Sequence, residues 1–234
     1  MRSYFLRDEK VGPVSRQATG GDVASGAVEG LLAGPTSMER DLGLSTAIPE
    51  GTTLLGVRVD DRVATVDLSE QFTSGGGSAS MRARVAQVVF TLTQFPTVDA
   101  VSFQIDGEPL TVLGGEGVLL ERPQGRIDWE GLSPAILLES PLPSATVASP
   151  LRLTGTANTF EAVFWVRVTD GAGAVVYDRR AMASSGTGTR GSFDITATLE
   201  RPVVGVGAVT VFEKSAKDGE PTHTVEIPVR FVDH

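Results

Sequence analysis

The sequence contains no cysteine, only two histidines and few aromatic residues. Without cysteine, disulfides, thiolate catalysis and cysteine-ligated zinc are excluded. Zinc sites need three or four clustered ligands and nucleophilic triads need a positioned base. His223 lies in a strand-like segment and His234 ends the sequence, so the two histidines supply neither. The sequence predicts no metal, no cofactor and no enzyme.

Positive charge and long apolar runs are also scarce. The 20 Lys and Arg are outnumbered by 29 Asp and Glu, giving a net charge of −9, which argues against a nucleic-acid partner. No apolar run reaches the roughly 18–20 residues of a membrane span, and no secretory signal is recognisable. Either the protein is cytosolic, or an export signal precedes Met1 in a longer chain.

The first half alternates strand and helix patterns. A strand over Ser3–Asp8 and a loop lead to a helix with Asp22 as its N-cap, which Gly34 and Pro35 end. A hairpin follows, with Asp60-Asp61 as the turn and Val59 opposite Arg62. Its predicted apolar face comprises Leu55, Val57, Val59, Ala64, Val66 and Leu68.

A glycine-rich segment, TSGGGSAS, precedes the second helical pattern. We predict Ser78 or Ser80 as its N-cap, with Arg82, Arg84 and Gln87 away from the apolar stripe. Two further strands give the order β-α-β-β-α-β-β, an α+β domain whose sheet is covered by two helices.

The second half has no helical pattern. Short β-rich segments broken by turn signals predict an all-β immunoglobulin-like sandwich. The predicted strands are 136–139, 150–157, 162–169, 174–181, 191–199, 206–213 and 223–232. We place the first domain at 2–125, the second at 135–234, and between them a linker, 126–134, that docks through Trp129.

Several segments resemble known families. VEGLLAGPT, TAIPEGTTLLGVRV and RVAQVVFTLTQFPTVDAVSFQIDGEP resemble the GerMN domain of sporulation and spore-germination proteins. ESPLPSATVASPLRLTGTANTFEAVFWVRVTDGAGAVV resembles the Gmad-type immunoglobulin-like domain that often follows GerMN. The resemblance implies an extracytoplasmic lipoprotein, anchored through a lipidated cysteine that this sequence lacks, and a role in protein assembly. It implies no catalytic residues.

Two features could suggest catalysis or ligand binding, but each has a structural explanation. Asp99 and Asp106 stand at a strand start and in an Asp-Gly turn, where aspartate bonds nearby backbone N–H groups. TSGGGSAS lacks the Lys-Ser/Thr of a phosphate-binding loop, so we interpret it as a flexible entry to the helix.

The segment FEKSAKDGEPT, 212–222, is the loop with the most candidate residues. Glu213, Lys214, Lys217 and Asp218 precede a glycine. We interpret it first as an ordered hairpin loop, next as a partner contact, and last as a Ca²⁺ loop, since it lacks a regular ladder of oxygen ligands.

Trp165 is the main candidate for recognition. Alternation places Phe160, Ala162, Phe164, Val166 and Val168 on one face, and Trp165 with Arg167 on the other, where Arg167 could stack on the indole. Three readings stay open: Trp165 belongs to the core, it is covered by the first domain or the linker, or it forms an external site.

The leading functional hypothesis is therefore a non-enzymatic envelope protein that binds a protein partner or itself. Binding of cell-wall glycan through Trp165 is the alternative. A hydrolase would require a pocket holding two carboxylates.

Overall fold

A computed structural model describes residues 1–17, 22–115 and 117–232, and the chain divides into two compact units, Met1–Leu132 and Ser133–His234. No helix of the described residues has the length and apolar character needed to cross a bilayer.

The first unit is a mixture of helices and small sheets, as the sequence predicts. Its helices are α1 (Val23–Leu32), α2 (Ser37–Asp41) and α3 (Ser78–Leu92), with 3-10 turns at Glu70–Thr73 and Arg126–Leu132. Its strands are β1 (Arg2–Arg7), β2 (Lys10–Ser15), β3 (Leu54–Asp60), β4 (Val63–Leu68), β5 (Ala100–Ile105), β6 (Glu108–Pro109), β7 (Val112–Leu113) and β8 (Val118–Leu119).

Strand β2 occupies a segment that we predicted as loop. It forms an antiparallel hairpin with β1 around a two-residue turn at Asp8 and Glu9, which both have positive φ. Gly12 and Pro13 made the segment resemble a loop in sequence, because glycine and proline are depleted in strands. Pro13 is tolerated because the pair forms a separate two-stranded sheet, in which each strand is an edge.

The main sheet of the first unit has the order β3-β4-β5-β6, with β4 and β5 parallel. The β3–β4 turn falls at Asp61 and Arg62, one residue later than predicted, so that Val59 lies opposite Ala64. The buried face of β4 is confirmed. A bulge between Leu54 and Gly56 breaks the predicted pattern on β3, and Leu55 is 52% exposed.

The helix termini agree with the prediction at one helix and differ at the other. Asp22 caps α1, as predicted, by accepting a hydrogen bond from Ser25 N at 3.1 Å. The N-cap of α3 is Gly77, with no side-chain cap, so the prediction of Ser78 or Ser80 is wrong. Arg84 and Gln87, predicted to face away from the apolar stripe, are fully buried, because α3 is enclosed on all sides from Ala83 onward.

Residues 126–134, predicted as a linker, are divided between the two units. Arg126–Leu132 form a 3-10 segment that packs against α3 within the first unit. Trp129 is buried there, and the Arg82 guanidinium lies 5.4 Å from its ring centroid.

The second unit is an immunoglobulin-like sandwich. One sheet has the order β14-β11-β9 and the other β10-β16-β15-β12-β13. The strands are β9 (Ile136–Ser140), β10 (Ala145–Val147), β11 (Leu151–Ala157), β12 (Val163–Asp170), β13 (Val175–Met182), β14 (Gly191–Ala197), β15 (Gly205–Lys214) and β16 (Pro221–Phe231). All seven predicted strands are present. The sequence missed β10, a three-residue strand that pairs parallel with β16.

The core of the sandwich lies between the two sheets. Alternate residues of β12, namely Phe164, Val166 and Val168, are fully buried in it, packed with Val209 and Val211 of β15. Phe160, predicted on the same face, precedes the strand and is exposed, because a 3-10 turn at Phe160–Ala162 interrupts the alternation.

Candidate interaction surface

Trp165 lies on the outer face of the five-stranded sheet. Its strand neighbours Phe164 and Val166 enter the core, and Trp165 is half-buried and outside that core. The predicted assignment of faces on β12 is therefore confirmed for these residues, and the reading of Trp165 as the core tryptophan of the sandwich is wrong.

The cation that stacks on Trp165 is Lys214. Its ammonium lies 4.6 Å from the indole centroid, within the range of a cation–π contact. Trp165 lies opposite Phe212 on β15 and opposite Arg180 on β13. Lys214 follows Phe212 by two residues on the same strand. Arg180 is exposed, so one exposed cation stands on each side of the indole.

Arg167 does not stack on Trp165 as predicted. Its guanidinium lies 5.0 Å from the ring centroid of Phe212 and donates to Asp178 Oδ2 at 2.8 and 3.0 Å. Asp178 is the cross-strand partner of Arg167 on β13, so the ion pair fixes the guanidinium away from the indole. In the same row across the sheet, Thr210 donates to Glu226 Oε2 at 3.1 Å.

Glu213 has a structural role. Its carboxylate accepts from Phe160 N at 3.1 Å and lies 2.6 Å from His223 Nδ1. It thereby anchors the 3-10 turn before β12 to the β15–β16 hairpin.

Lys217 and Asp218 lie in the β15–β16 loop, whose polar groups satisfy one another. Lys217 N donates to Ser215 Oγ and Glu220 N donates to Asp218 Oδ1, both at 3.2 Å. The Ser215 hydroxyl and Glu220 N–H hold the pKa of the Asp218 carboxyl below its usual value. These bonds agree with the interpretation of 212–222 as an ordered hairpin loop.

We use the name Trp165 surface for Trp165, Arg167, Arg180, Phe212 and Lys214. Three of the six predicted residues, Trp165, Arg167 and Lys214, belong to it. Sequence reasoning missed Arg180 and the aromatic partner role of Phe212. The register of the β12–β13 hairpin would have identified Arg180, because it lies directly across from Trp165.

The two candidate aspartates of the first unit, Asp99 and Asp106, serve a strand end and a turn. Asp106 has φ +48 in the β5–β6 turn, as predicted, and Gly107 N donates to Asp67 Oδ1 at 3.0 Å. Asp99 forms an exposed bidentate ion pair with Arg62, the second turn residue of the β3–β4 hairpin. The hydrogen bond from Arg62 lowers the pKa of Asp99.

The glycine-rich loop presents carbonyl groups to a cation. Arg84 Nη1 donates to Phe72 O at 2.6 Å and to Ser74 O at 3.0 Å, and Nη2 donates to Gly75 O at 3.0 Å. A phosphate cradle needs the opposite arrangement, in which N–H groups point to the ligand. The loop is a structural support in which burial lowers the pKa of Arg84.

The described cavities do not assemble catalytic carboxylates. The larger, about 450 Å³, is lined by Ser78, Arg82, Gln124 and Trp129, and its one described carboxylate, Asp128, is paired with Arg122 at 2.6 Å. Within residues 1–17, 22–115 and 117–232, no group of three or more His, Asp or Glu could hold a metal ion. His234 lies outside the described residues.

Family comparisons agree with the observed division of the chain. Residues 2–111 match Germane, "Sporulation and spore germination", and residues 135–220 match Gmad2, "Immunoglobulin-like domain of bacterial spore germination". Neither description names an enzymatic activity. Among curated proteins, no sequence matches the chain.

Solved structures show distant similarity. The first GerMN domain of the sporulation protein GerM from Bacillus subtilis is 24% identical over 55% of this chain and 99% of its own, with a TM-score of 0.47. The tandem GerMN domains of the same protein are 15% identical over 85% of this chain and 61% of their own, with a TM-score of 0.45. A Clostridium perfringens protein described as a lipoprotein is 22% identical over 57% of this chain and 91% of its own, with a TM-score of 0.42. The family matches establish that the chain joins a Germane (GerMN) domain at residues 2–111 to a Gmad2 immunoglobulin-like domain at residues 135–220, as its sequence motifs predicted.

Proposed function

We propose that this protein is a non-enzymatic binding or assembly protein of the cell envelope, which holds a protein partner on the Trp165 surface. Both of its domains belong to families of sporulation and spore germination. The proposal goes beyond that relation by assigning protein binding to one defined face of the Gmad2 domain.

The observation that carries the proposal is the position of Trp165. A large aromatic side chain stands on the outer face of a sheet, half-buried, flanked by Arg180 and Lys214. Tryptophan, tyrosine and arginine dominate the binding energy of protein interfaces, and they cluster at interface centres. The sandwich does not need Trp165 for its core, which is complete without it.

The proposed location is the outer side of the membrane, with a lipid anchor on the N-terminal side of the GerMN domain. This part rests on the resemblance of the domain pair to envelope lipoproteins.

Binding of cell-wall glycan is the second candidate, since exposed indole rings also pack against sugars. The Lys214 ammonium over the Trp165 ring makes it the weaker one, because a stacked sugar would displace that cation. Titration with soluble peptidoglycan fragments tests it: a saturable change in tryptophan fluorescence that disappears in Trp165→Ala would favour glycan binding.

Partner capture tests the leading proposal. The anchored full-length protein is crosslinked in its native envelope, and wild type is compared with Trp165→Ala and with Phe160→Ala. Phe160 is an exposed aromatic residue outside the Trp165 surface and serves as the matched control. We expect the crosslinked species to disappear only in Trp165→Ala. Equal capture by all three proteins, or no crosslinked species in any, would contradict the proposal.

A further inference from the structure

Two cations beside Trp165 have no carboxylate partner among the described residues. Lys214 lies over the indole, and Arg180 faces Trp165 directly across the β12–β13 pair. Both side chains are exposed, and neither forms an ion pair with any other residue that the structure describes. In a chain with a net charge of −9, this is a local concentration of positive charge around one aromatic ring.

Other arginines of the same domain are neutralised. Arg152, Arg167, Arg179 and Arg201 pair with Asp194, Asp178, Glu200 and Asp170, respectively. The row of the sheet next to Trp165 is also satisfied internally, since Asp178 pairs with Arg167 and Glu226 accepts from Thr210. On the outer face of this sheet, exposed cations without a described carboxylate partner therefore lie on both sides of the indole, at Arg180 and Lys214, and a third, Arg230, lies far from it on β16.

We propose that the Trp165 surface binds an acidic segment of the protein partner. Aspartate or glutamate carboxylates of that segment pair with Arg180 and Lys214, and its apolar atoms pack on the uncovered part of Trp165. This inference rests on the proposed function and specifies the chemistry of the partner.

Charge and geometry both favour this occupant. Complementary charge guides association and selects the partner, and an aromatic ring between two cations adds apolar contact area. A neutral glycan would leave both cations unused. A basic partner would meet two like charges, which is repulsive at contact distance.

Binding of poly-L-glutamate to the full chain, measured by calorimetry and by tryptophan fluorescence, is the first test. We expect saturable binding that weakens as salt rises from about 0.05 to 0.5 M, because salt screens exposed charges. The double variant Arg180→Glu/Lys214→Glu should lose affinity by about tenfold or more. No binding by wild type, or equal binding by the double variant, would overturn the inference.

A matched control separates local from global charge. Arg58→Glu/Arg230→Glu changes the net charge by the same amount at two exposed arginines. Arg230 is on β16, opposite Val206, about 20 Å along the sheet from the Trp165 row at 3.4 Å per residue. This control should bind as wild type does. If it loses as much affinity as the first variant, net charge accounts for the binding and the inference fails.

Partner capture then distinguishes this inference from the proposed function. Capture lost in both Trp165→Ala and Arg180→Glu/Lys214→Glu supports the acidic partner. Capture lost in Trp165→Ala but kept by the charge-reversal variant, at low and high salt, overturns the acidic partner and leaves the proposed function standing. Thermal unfolding confirms that each variant is folded, and Arg180→Gln/Lys214→Gln replaces the double variant if it is not.

Discussion

At the scale of single residues, polar side chains of α3 hold neighbouring parts of the first domain together. Arg84 satisfies three loop carbonyls, and Gln87 donates to Tyr4 O at 3.0 Å and accepts from Ala47 N at 2.8 Å. Most buried polar groups in proteins are hydrogen-bonded, because an unpaired one is costly. Helical periodicity predicted that Arg84 and Gln87 face away from the apolar stripe. It does not show their partners, which are backbone groups outside α3; Tyr4, for example, lies 83 residues from Gln87 in the sequence.

Removing the Arg84 guanidinium should destabilise the first domain. Arg84→Leu leaves the carbonyls of Phe72, Ser74 and Gly75 without their donor, and we expect a loss of about 2–4 kcal/mol in the free energy of unfolding. Urea denaturation measures it. Arg58→Leu, at an exposed arginine that pairs with no described carboxylate, is the control and should change the free energy by no more than about 0.5 kcal/mol. Similar losses in both variants would contradict the role of Arg84.

The ion pair between Arg16 and Glu39 should make stability depend on pH. Arg16 Nη1 lies 2.5 Å from Glu39 Oε1, and Thr36 N donates to the same carboxylate at 2.8 Å. Burial raises the pKa of Glu39, but the hydrogen bonds from Arg16 and Thr36 outweigh it and hold the pKa below its ordinary 4.5. The stabilisation is therefore complete above the unfolded-state pKa and is lost as the pH falls through the folded-state value.

Urea denaturation at a series of acid pH values tests this linkage. Glu39→Gln should lower the free energy of unfolding by about 1–3 kcal/mol near neutral pH and reduce its fall below pH 4.5. Glu50→Gln, at an exposed position, controls for the change in net charge. An acid dependence in Glu39→Gln as steep as in wild type would show that this pair does not contribute.

At the scale of elements, strand alternation was predictable and turn position was not. The face of β12 follows from its sequence, because period-2 patterning decides which residues enter the core. The turns at Asp8-Glu9 and Asp61-Arg62 place positive φ at Glu9 and Arg62, residue types that seldom adopt it, so turn preference missed the first turn and placed the second one residue early. The Asp106-Gly107 turn, with the preferred pair, was placed correctly.

Exchanges at two hairpins should change stability in opposite directions. Glu9 has φ +62 and an exposed side chain, so Glu9→Gly should stabilise the β1–β2 hairpin by roughly 1 kcal/mol, because glycine adopts that conformation without strain. Gly107 has φ +84, so Gly107→Ala should destabilise the β5–β6 hairpin by about the same amount. Thermal unfolding of both variants measures the difference. Stability changes of the same sign would contradict this account.

At the scale of the whole molecule, the two domains can be treated as separate folding units. Every member of the sandwich core cluster lies between Ile136 and Phe231, within the second unit. Sequence pattern predicted this division into an α+β domain and a β-sandwich. It also predicted that residues 126–134 dock through Trp129, which is buried, but not that Arg126–Leu132 would form a 3-10 segment packed on α3 within the first unit.

A fragment comprising residues 133–234 should therefore fold by itself. We expect a dispersed amide NMR spectrum and one cooperative unfolding transition, because a continuous core is retained. Leu153→Ala, which truncates a fully buried core residue, should lower its stability by about 2–5 kcal/mol. A collapsed spectrum for the fragment would contradict the independence of its core.

Quenching of Trp165 fluorescence by ions of opposite charge tests the central claim most directly. The protein for this measurement is the full chain carrying Trp129→Phe, which leaves Trp165 as the one tryptophan. If Trp165 lies on an accessible face between Arg180 and Lys214, iodide should quench it more strongly than caesium, and Arg180→Glu/Lys214→Glu should reverse that order. Resistance to both ions, or stronger quenching by caesium in the otherwise unchanged protein, would contradict the account.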